Sequence, residues 1–98
     1  MQRVIFHPDA FKELEQARAW YEQQAPGLGN QFFEEVELAV ERIRESPDMW
    51  SAYTKNTRRF LIHRFPFAVV YCQDQSNIQI IAVMNLSRKP GYWRHREF

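Results

Sequence analysis

The 98-residue chain lacks the features that would mark it as secreted, metal-binding or membrane-spanning. Its one cysteine, Cys72, excludes an internal disulfide and suits a reducing cytoplasm. Its histidines, His7, His63 and His95, are scattered, and none has a carboxylate or thiolate at ligand spacing, so neither a metal nor another cofactor is expected. No apolar run approaches the roughly 18–20 residues of a membrane span, and the first eleven residues have no signal-peptide layout. A soluble, cytoplasmic protein with no membrane partner is expected. There is no serine nucleophile elbow. The glycine-containing stretch Pro26–Gly29 falls between two expected helices rather than between a strand and a helix, so it is not a phosphate loop. No repeat, low-complexity tract or linker is visible, and one domain is expected over residues 1–98.

What is present is a folded composition: 45% hydrophobic and 15% aromatic residues. A chain of this size buries about 60–68% of its unfolded surface, enough for one modest core. The net charge of +1 conceals an asymmetry. Residues 1–50 carry five Lys/Arg against ten Asp/Glu, whereas residues 51–98 carry eight against two. The second half is suited to a polyanion or an acidic protein surface.

The hydrophobic pattern gives the layers. Val4–Phe6 is a short β-prone run. Pro8 suits a first helical turn, and Asp9 and Glu13 follow where the helix dipole favours negative charge. Phe11, Leu14, Ala17, Trp20 and Tyr21 recur at helical steps and predict one apolar stripe on a helix over Pro8–Gln24. Pro26 and two glycines break the pattern, and Asn30 is a suitable cap for a second helix over Gln31–Glu45, folded back on the first. That helix buries Phe32, Val36, Ala39, Val40 and Ile43 and leaves Glu34, Glu35, Glu37 and Glu41 outside. Asp48–Thr57 reads as a loop whose Trp50 and Tyr53 fold back over the core. Arg58–Phe65, Phe67–Cys72 and Ile78–Met84 read as three strands with short links, an antiparallel meander. The class is therefore α+β in the order β-α-α-β-β-β: a helical hairpin covering one face of a small antiparallel sheet.

The chain is organised around Ile78–Arg96. The strand over Ile78–Met84 is apolar on both faces, as central strands are. It opens onto Arg88, Lys89, a Pro90-Gly91 turn, Tyr92, Trp93, Arg94 and Arg96. With Arg58, Arg59, His63 and Arg64, these form a basic and aromatic group. Such groups bind RNA through phosphate pairing and base stacking, and they equally make protein-binding hot spots. Alternatively, Tyr92 and Trp93 simply pin the carboxyl end to the sheet.

Trp20-Tyr21-Glu22, Pro26-Gly27-Leu28-Gly29 with Phe32, Arg58-Arg59-Phe60-Leu61, Arg64-Phe65-Pro66-Phe67 with Tyr71, Ile80–Val83, and Arg88-Lys89-Pro90-Gly91-Tyr92-Trp93 with Arg96 together resemble the RelE/ParE superfamily of bacterial toxins, on its ParE-like side. The resemblance runs in order over nearly the whole chain. It implies the toxin of a type II toxin–antitoxin (plasmid stabilization) system, a helical hairpin on a small antiparallel sheet, and a cognate antitoxin as partner. ParE-like members poison DNA gyrase. RelE-like members bind the ribosome and cut mRNA without a metal. Against the RelE-like set, Arg88 falls on a catalytic arginine, Tyr92 near its tyrosine and His63 on a lysine, whereas Leu61 and Ala68 stand where cations belong. Cleavage needs a base and cations for the transition-state charge, so the resemblance favours a gyrase inhibitor contacting its target through Arg88, Tyr92, Trp93, Arg94 and Arg96, with Arg58, Arg59 and Arg64 as a secondary basic patch. The rival implications are a ribosome-dependent endoribonuclease using His63, Arg88 and Tyr92, and a degenerate toxin that only binds its antitoxin. Many ParE-like relatives carry a histidine where this chain has Asn85.

Overall fold

A computed structural model describes residues 2–54 and 56–98; Met1, and Lys55 of the expected Asp48–Thr57 loop, lie outside the described residues. The elements are β1 (Arg3–Phe6), α1 (Pro8–Gln24), α2 (Leu28–Glu45), β2 (Ser51–Ala52), β3 (Arg58–Leu61), β4 (Phe67–Gln73) and β5 (Asn77–Asn85). The strands lie in the order β1-β5-β4-β3-β2. The helical hairpin packs on one face of the sheet, as the periodicity predicts. The meander β3-β4-β5 is antiparallel, and the sheet extends beyond it on both sides. Ser51 and Ala52 add two residues to one edge. The Val4–Phe6 run lies along β5 in parallel, Val4 opposite Ile78 and Phe6 opposite Ile80, which makes the sheet mixed. A parallel pair needs a crossover, and here the intervening helices and meander supply it.

Helix α1 begins as expected. Pro8 opens it, and Nδ1 of His7 accepts the Asp9 N–H at 3.0 Å. Helix α2 begins at Leu28 rather than Gln31, and Asn30 does not cap it. The cap is Gly27, at φ 87°, and the charge for the new amino terminus comes from the previous helix. The Glu22 carboxylate accepts the N–H groups of Gly27 at 2.9 Å and Gly29 at 3.0 Å. These are orphan donors at the positive end of the α2 dipole. Asn30 instead accepts from Arg18 at 2.8 Å. Gly29 lies directly against α1: a Cβ there would sit 2.6 Å from the Arg18 carbonyl oxygen.

Strand β3 ends at Leu61, short of the expected Phe65. Arg64 has φ 73°, and Pro66 has no N–H to offer a ladder. The turn sends Phe65 into the core, where its ring meets Tyr21 at 4.8 Å and Phe32 at 5.2 Å. In the connection between α2 and β3, Trp50 packs on Phe60 at 4.6 Å and Tyr53 stacks on Trp93 at 5.7 Å, so both aromatics fold back as expected.

Strand β5 is buried from Ile78 to Met84 apart from a half-buried Gln79, but not with a strict two-residue alternation. Val70 pairs with Ala82 and Tyr71 with Ile80, so Ile81 is an extra residue in the ladder. This bulge shifts the phase. Ile78, Ile80 and Val83 join the core under the helices with Phe67, Val69 and Tyr71. Ile81, Ala82 and Met84 join Ala68 and Val70 on the opposite face, beneath Trp93.

Two measurements check this architecture. Helix propensity alone would make Gly29→Ala stabilising by about 1 kcal/mol. The contact with the Arg18 backbone outweighs that, and denaturant unfolding should show a net loss of about 2 kcal/mol. Tyr71 is fully buried and donates to the Pro47 carbonyl at 2.5 Å; burial pushes its phenol up to about 12 despite the opposing charge of Arg58. In the unfolded chain it ionises near pH 10, so the unfolded state loses the proton first. The stability contributed by Tyr71 should decline from about pH 10 and level off above about 12. Tyr71→Phe should remove that part of the alkaline slope, with the remainder coming from Tyr21 and Tyr92, whose phenols burial also raises.

Candidate functional site

The site grows out of an edge left open in the sheet. Strand β1 stops at Phe6, and its last link to β5 is the His7 N–H on the Ile80 carbonyl at 2.9 Å. Farther along β5, two side chains replace the missing strand. Arg96 Nη1 donates to the Ile81 carbonyl at 2.9 Å, and Glu13 Oε1 accepts the Val83 N–H at 3.0 Å. Glu13, from α1, and Arg96, from the carboxyl-terminal tail, also bind one another. Nη1 and Nη2 of Arg96 reach the two carboxylate oxygens at 2.9 and 3.0 Å. This fork-to-fork pairing is the strongest form of the interaction. It is also nearly dry, with side-chain exposures of 8% for Arg96 and 14% for Glu13. The Tyr92 hydroxyl donates to Glu13 Oε2 at 2.6 Å. Arg96 Nε has no hydrogen-bond partner, but Asp9 Oδ2 stands 3.8 Å away.

The electrostatics follow from this arrangement. Burial, then the hydrogen bond and charge of Glu13, push the Tyr92 phenol well above its ordinary range against the two nearby guanidinium groups. Burial alone would lower Arg96, but the Glu13 hydrogen bond and charge, with Tyr92 and Asp9, raise it. Tyr92 therefore holds its proton firmly on Glu13.

The fixed Tyr92 ring is a platform. The Arg88 guanidinium carbon lies 3.8 Å from its centroid. That distance suits a cation–π contact. Arg88 itself is exposed and makes no ion pair within the described residues. Trp93 is 2% exposed and closes the second core. The turn at Gly91, φ 89°, carries Arg94 back out to solvent.

Of the five residues expected to contact a target, the structure gathers Arg88, Tyr92 and Arg96 around Glu13. Only Arg88 and Arg94 are exposed; Trp93 and Arg96 are spent inside the fold. Arg58 donates to the Trp50 carbonyl at 2.7 Å, Arg59 lies 4.5 Å over the Tyr53 ring, and Arg64 donates to Gln31 at 2.9 Å. His63 is exposed in a different hollow, beside Glu35, Leu38 and Arg42 of α2, and does not join Arg88 and Tyr92. Among the described residues, no three His, Cys, Asp or Glu side chains converge as metal ligands. No helix among them is long and apolar enough to cross a membrane.

Two residues of the site escape sequence reasoning. Glu13 reads as a helix-dipole residue, and nothing in a linear pattern pairs it with Arg96, 83 positions away. Trp20 fits the apolar stripe by spacing, yet it is 56% exposed. It borders a groove of about 430 Å³ with Gln16, Pro66, Asn85, Arg88 and Tyr92. Phe11, also placed on the stripe, is 50% exposed at the opposite flank of α1.

Residues 4–90 match the family model described as the ParE toxin of the type II toxin–antitoxin system, parDE. No curated protein matches the chain. A solved structure described as the chromosomal ParDE TA system from P. aeruginosa superposes with a TM-score of 0.78 at 14% identity, covering 88% of this chain and 97% of that one. At that identity the likeness is one of fold.

Removing the charge of Glu13 while keeping its shape tests the cluster. Glu13→Gln leaves the Arg96 guanidinium buried without its main counter-charge. Urea unfolding should show a loss of about 2–4 kcal/mol. Hydrogen exchange should show the tail amides of Arg94 and Arg96, which donate to the Gly91 and Trp93 carbonyls, exchanging well ahead of those of β4.

Proposed function

Because this chain belongs to the ParE toxin family of type II toxin–antitoxin systems, we propose that it is a toxin that acts on DNA gyrase in the cytoplasm and is held inactive by a cognate antitoxin. The observation that carries this reading is the presentation of Arg88. It stands on a ring that is itself tied to Glu13, it is exposed, and its charge is unspent. Lys89 and Arg94, also exposed, extend the positive surface of the tail. Target contact therefore falls to Arg88 and Arg94, while Tyr92, Trp93 and Arg96 hold them in place.

An mRNA-cleaving centre finds less support. Ala68, where a RelE-like strand arginine would stand, is fully buried under Trp93. Leu61 is an exposed aliphatic residue. His63 lies in a separate hollow from Arg88 and Tyr92, and the Tyr92 proton is committed to Glu13. These positions leave no group of cations to stabilise a phosphorane-like transition state.

The antitoxin has a ready seat on the other side of α1. Strand β1 is an edge of the sheet. Beside it runs an apolar groove lined by Val4, Phe6, Phe11, Phe33, Val36 and Val40. An extended or helical segment of the antitoxin can bury that groove, with backbone pairing available along β1.

Controlled expression without antitoxin tests the whole reading. DNA-damage signalling and filamentation should appear while translation continues, and Arg88→Ala should weaken toxicity at least tenfold without loss of antitoxin binding. Immediate arrest of protein synthesis with intact DNA would overturn it.

A further inference from the structure

Trp20 is the least economical residue of α1: a large ring on a stripe that should be buried, left more than half in water. It forms one wall of the groove that holds Arg88, with Gln16 on the same helix and Asn85 and Pro66 opposite. Among the lining residues only Glu13 and Arg88 are charged. Glu13 is consumed by Arg96 and Tyr92, so the unspent charge of the groove is that of Arg88. An exposed tryptophan beside a fixed arginine and a tyrosine is the composition of a protein-binding hot spot.

We infer that this groove receives an acidic segment of the toxin's target protein, with a carboxylate on Arg88 and a neighbouring apolar side chain against the Trp20 ring. The inference rests on the toxin reading and goes beyond the tail, because it brings α1 into the contact. A protein segment fits better than a nucleic acid. Tracking a phosphate backbone takes a row of free cations, whereas Arg88 is the one cation that lines this groove. The target is assigned here rather than the antitoxin because the groove's unpaired charge is Arg88, the residue on which the toxin reading places target contact. The β1 groove lies across α1, at Phe11 and Leu14.

The test uses full-length toxin, purified gyrase and the antitoxin. Trp20→Ala removes the apolar wall. Gln16→Glu keeps the wall and adds a repelling charge at an exposed position, with Gln16→Lys as its control. All three should melt within a few degrees of the parent. Trp20→Ala and Gln16→Glu should weaken gyrase binding at least tenfold and relieve growth inhibition, while Gln16→Lys, which adds an attracting charge to the groove, should bind gyrase at least as tightly as the parent, and antitoxin affinity stays within twofold. Trp20→Ala and Gln16→Glu proteins that fold and remain as toxic as the parent would overturn the inference. So would a tenfold loss confined to antitoxin binding, or parent binding to a single-stranded RNA oligonucleotide that Trp20→Ala abolishes. If the parent inhibits growth without binding gyrase, the gyrase reading fails by itself. The groove is then judged on growth alone, where relief by both substitutions sustains it and parent-like toxicity overturns it. A parent that is not toxic overturns both.

Discussion

The pairing of Glu13 with Arg96 is the constraint on which the rest of this molecule depends. Strand β1 is too short to cover β5, and a bulge at Ile81 turns backbone groups toward a place where no strand lies. An open edge there would leave polar groups unpaired against a packed core, at a cost of about 1–3 kcal/mol each. The carboxylate and the guanidinium fill the gap from two directions, each binding one backbone group of β5 and both binding each other. One contact thereby satisfies the edge, fastens the tail and joins the helical layer to the sheet.

Everything on the far face of the sheet follows from that fastening. The tail lies over Ala68, Val70, Ala82 and Met84, with Trp93 as its main apolar plug and Tyr53 stacked on it from the β2–β3 loop. The domain is thus a sheet covered on both sides, by helices on one and by irregular chain on the other. The aromatic residues of the tail are structural, and that role frees the cations beside them to face outward. Arg88 is held at one remove: Glu13 fixes Tyr92, and Tyr92 supports Arg88. A positioned cation loses less entropy on meeting a partner than a free one does.

The charge asymmetry of the sequence takes on a narrower meaning in the fold. Of the arginines in the second half, Arg58, Arg59, Arg64 and Arg96 are engaged by carbonyls, rings, an amide or a carboxylate of the same chain. Among the described residues of that half, the exposed cations are Arg64 at the β3–β4 turn and Arg88, Lys89 and Arg94, gathered in the tail. The acidic first half shows the same division. Glu34, Glu37 and Glu41 stay in water, while Glu13 and Glu22 turn back onto the chain, one to the tail and one to the amino terminus of α2.

The sequence by itself determined the class of fold, because helical and strand periodicities are local and strong. Helix α1 starts and stops where Pro8 and the Pro26-Gly27 break require, and β4 and β5 fall where their apolar runs lie, whereas β3 stops at Leu61, short of the expected Phe65. Details that need a non-local partner were not legible. The cap of α2 comes from Glu22 of another helix, the phase shift in β5 from a bulge, and the parallel edge from a run separated from β5 by seventy residues of chain. Within the site, the tail cations could be read from composition, but which of them remain free could not. Arg96 and Arg88 look alike in a linear chain. Only folding decides that one is desolvated against Glu13 and the other stands in water on the ring of Tyr92, because an arginine's availability depends on the carboxylates that tertiary structure brings within reach.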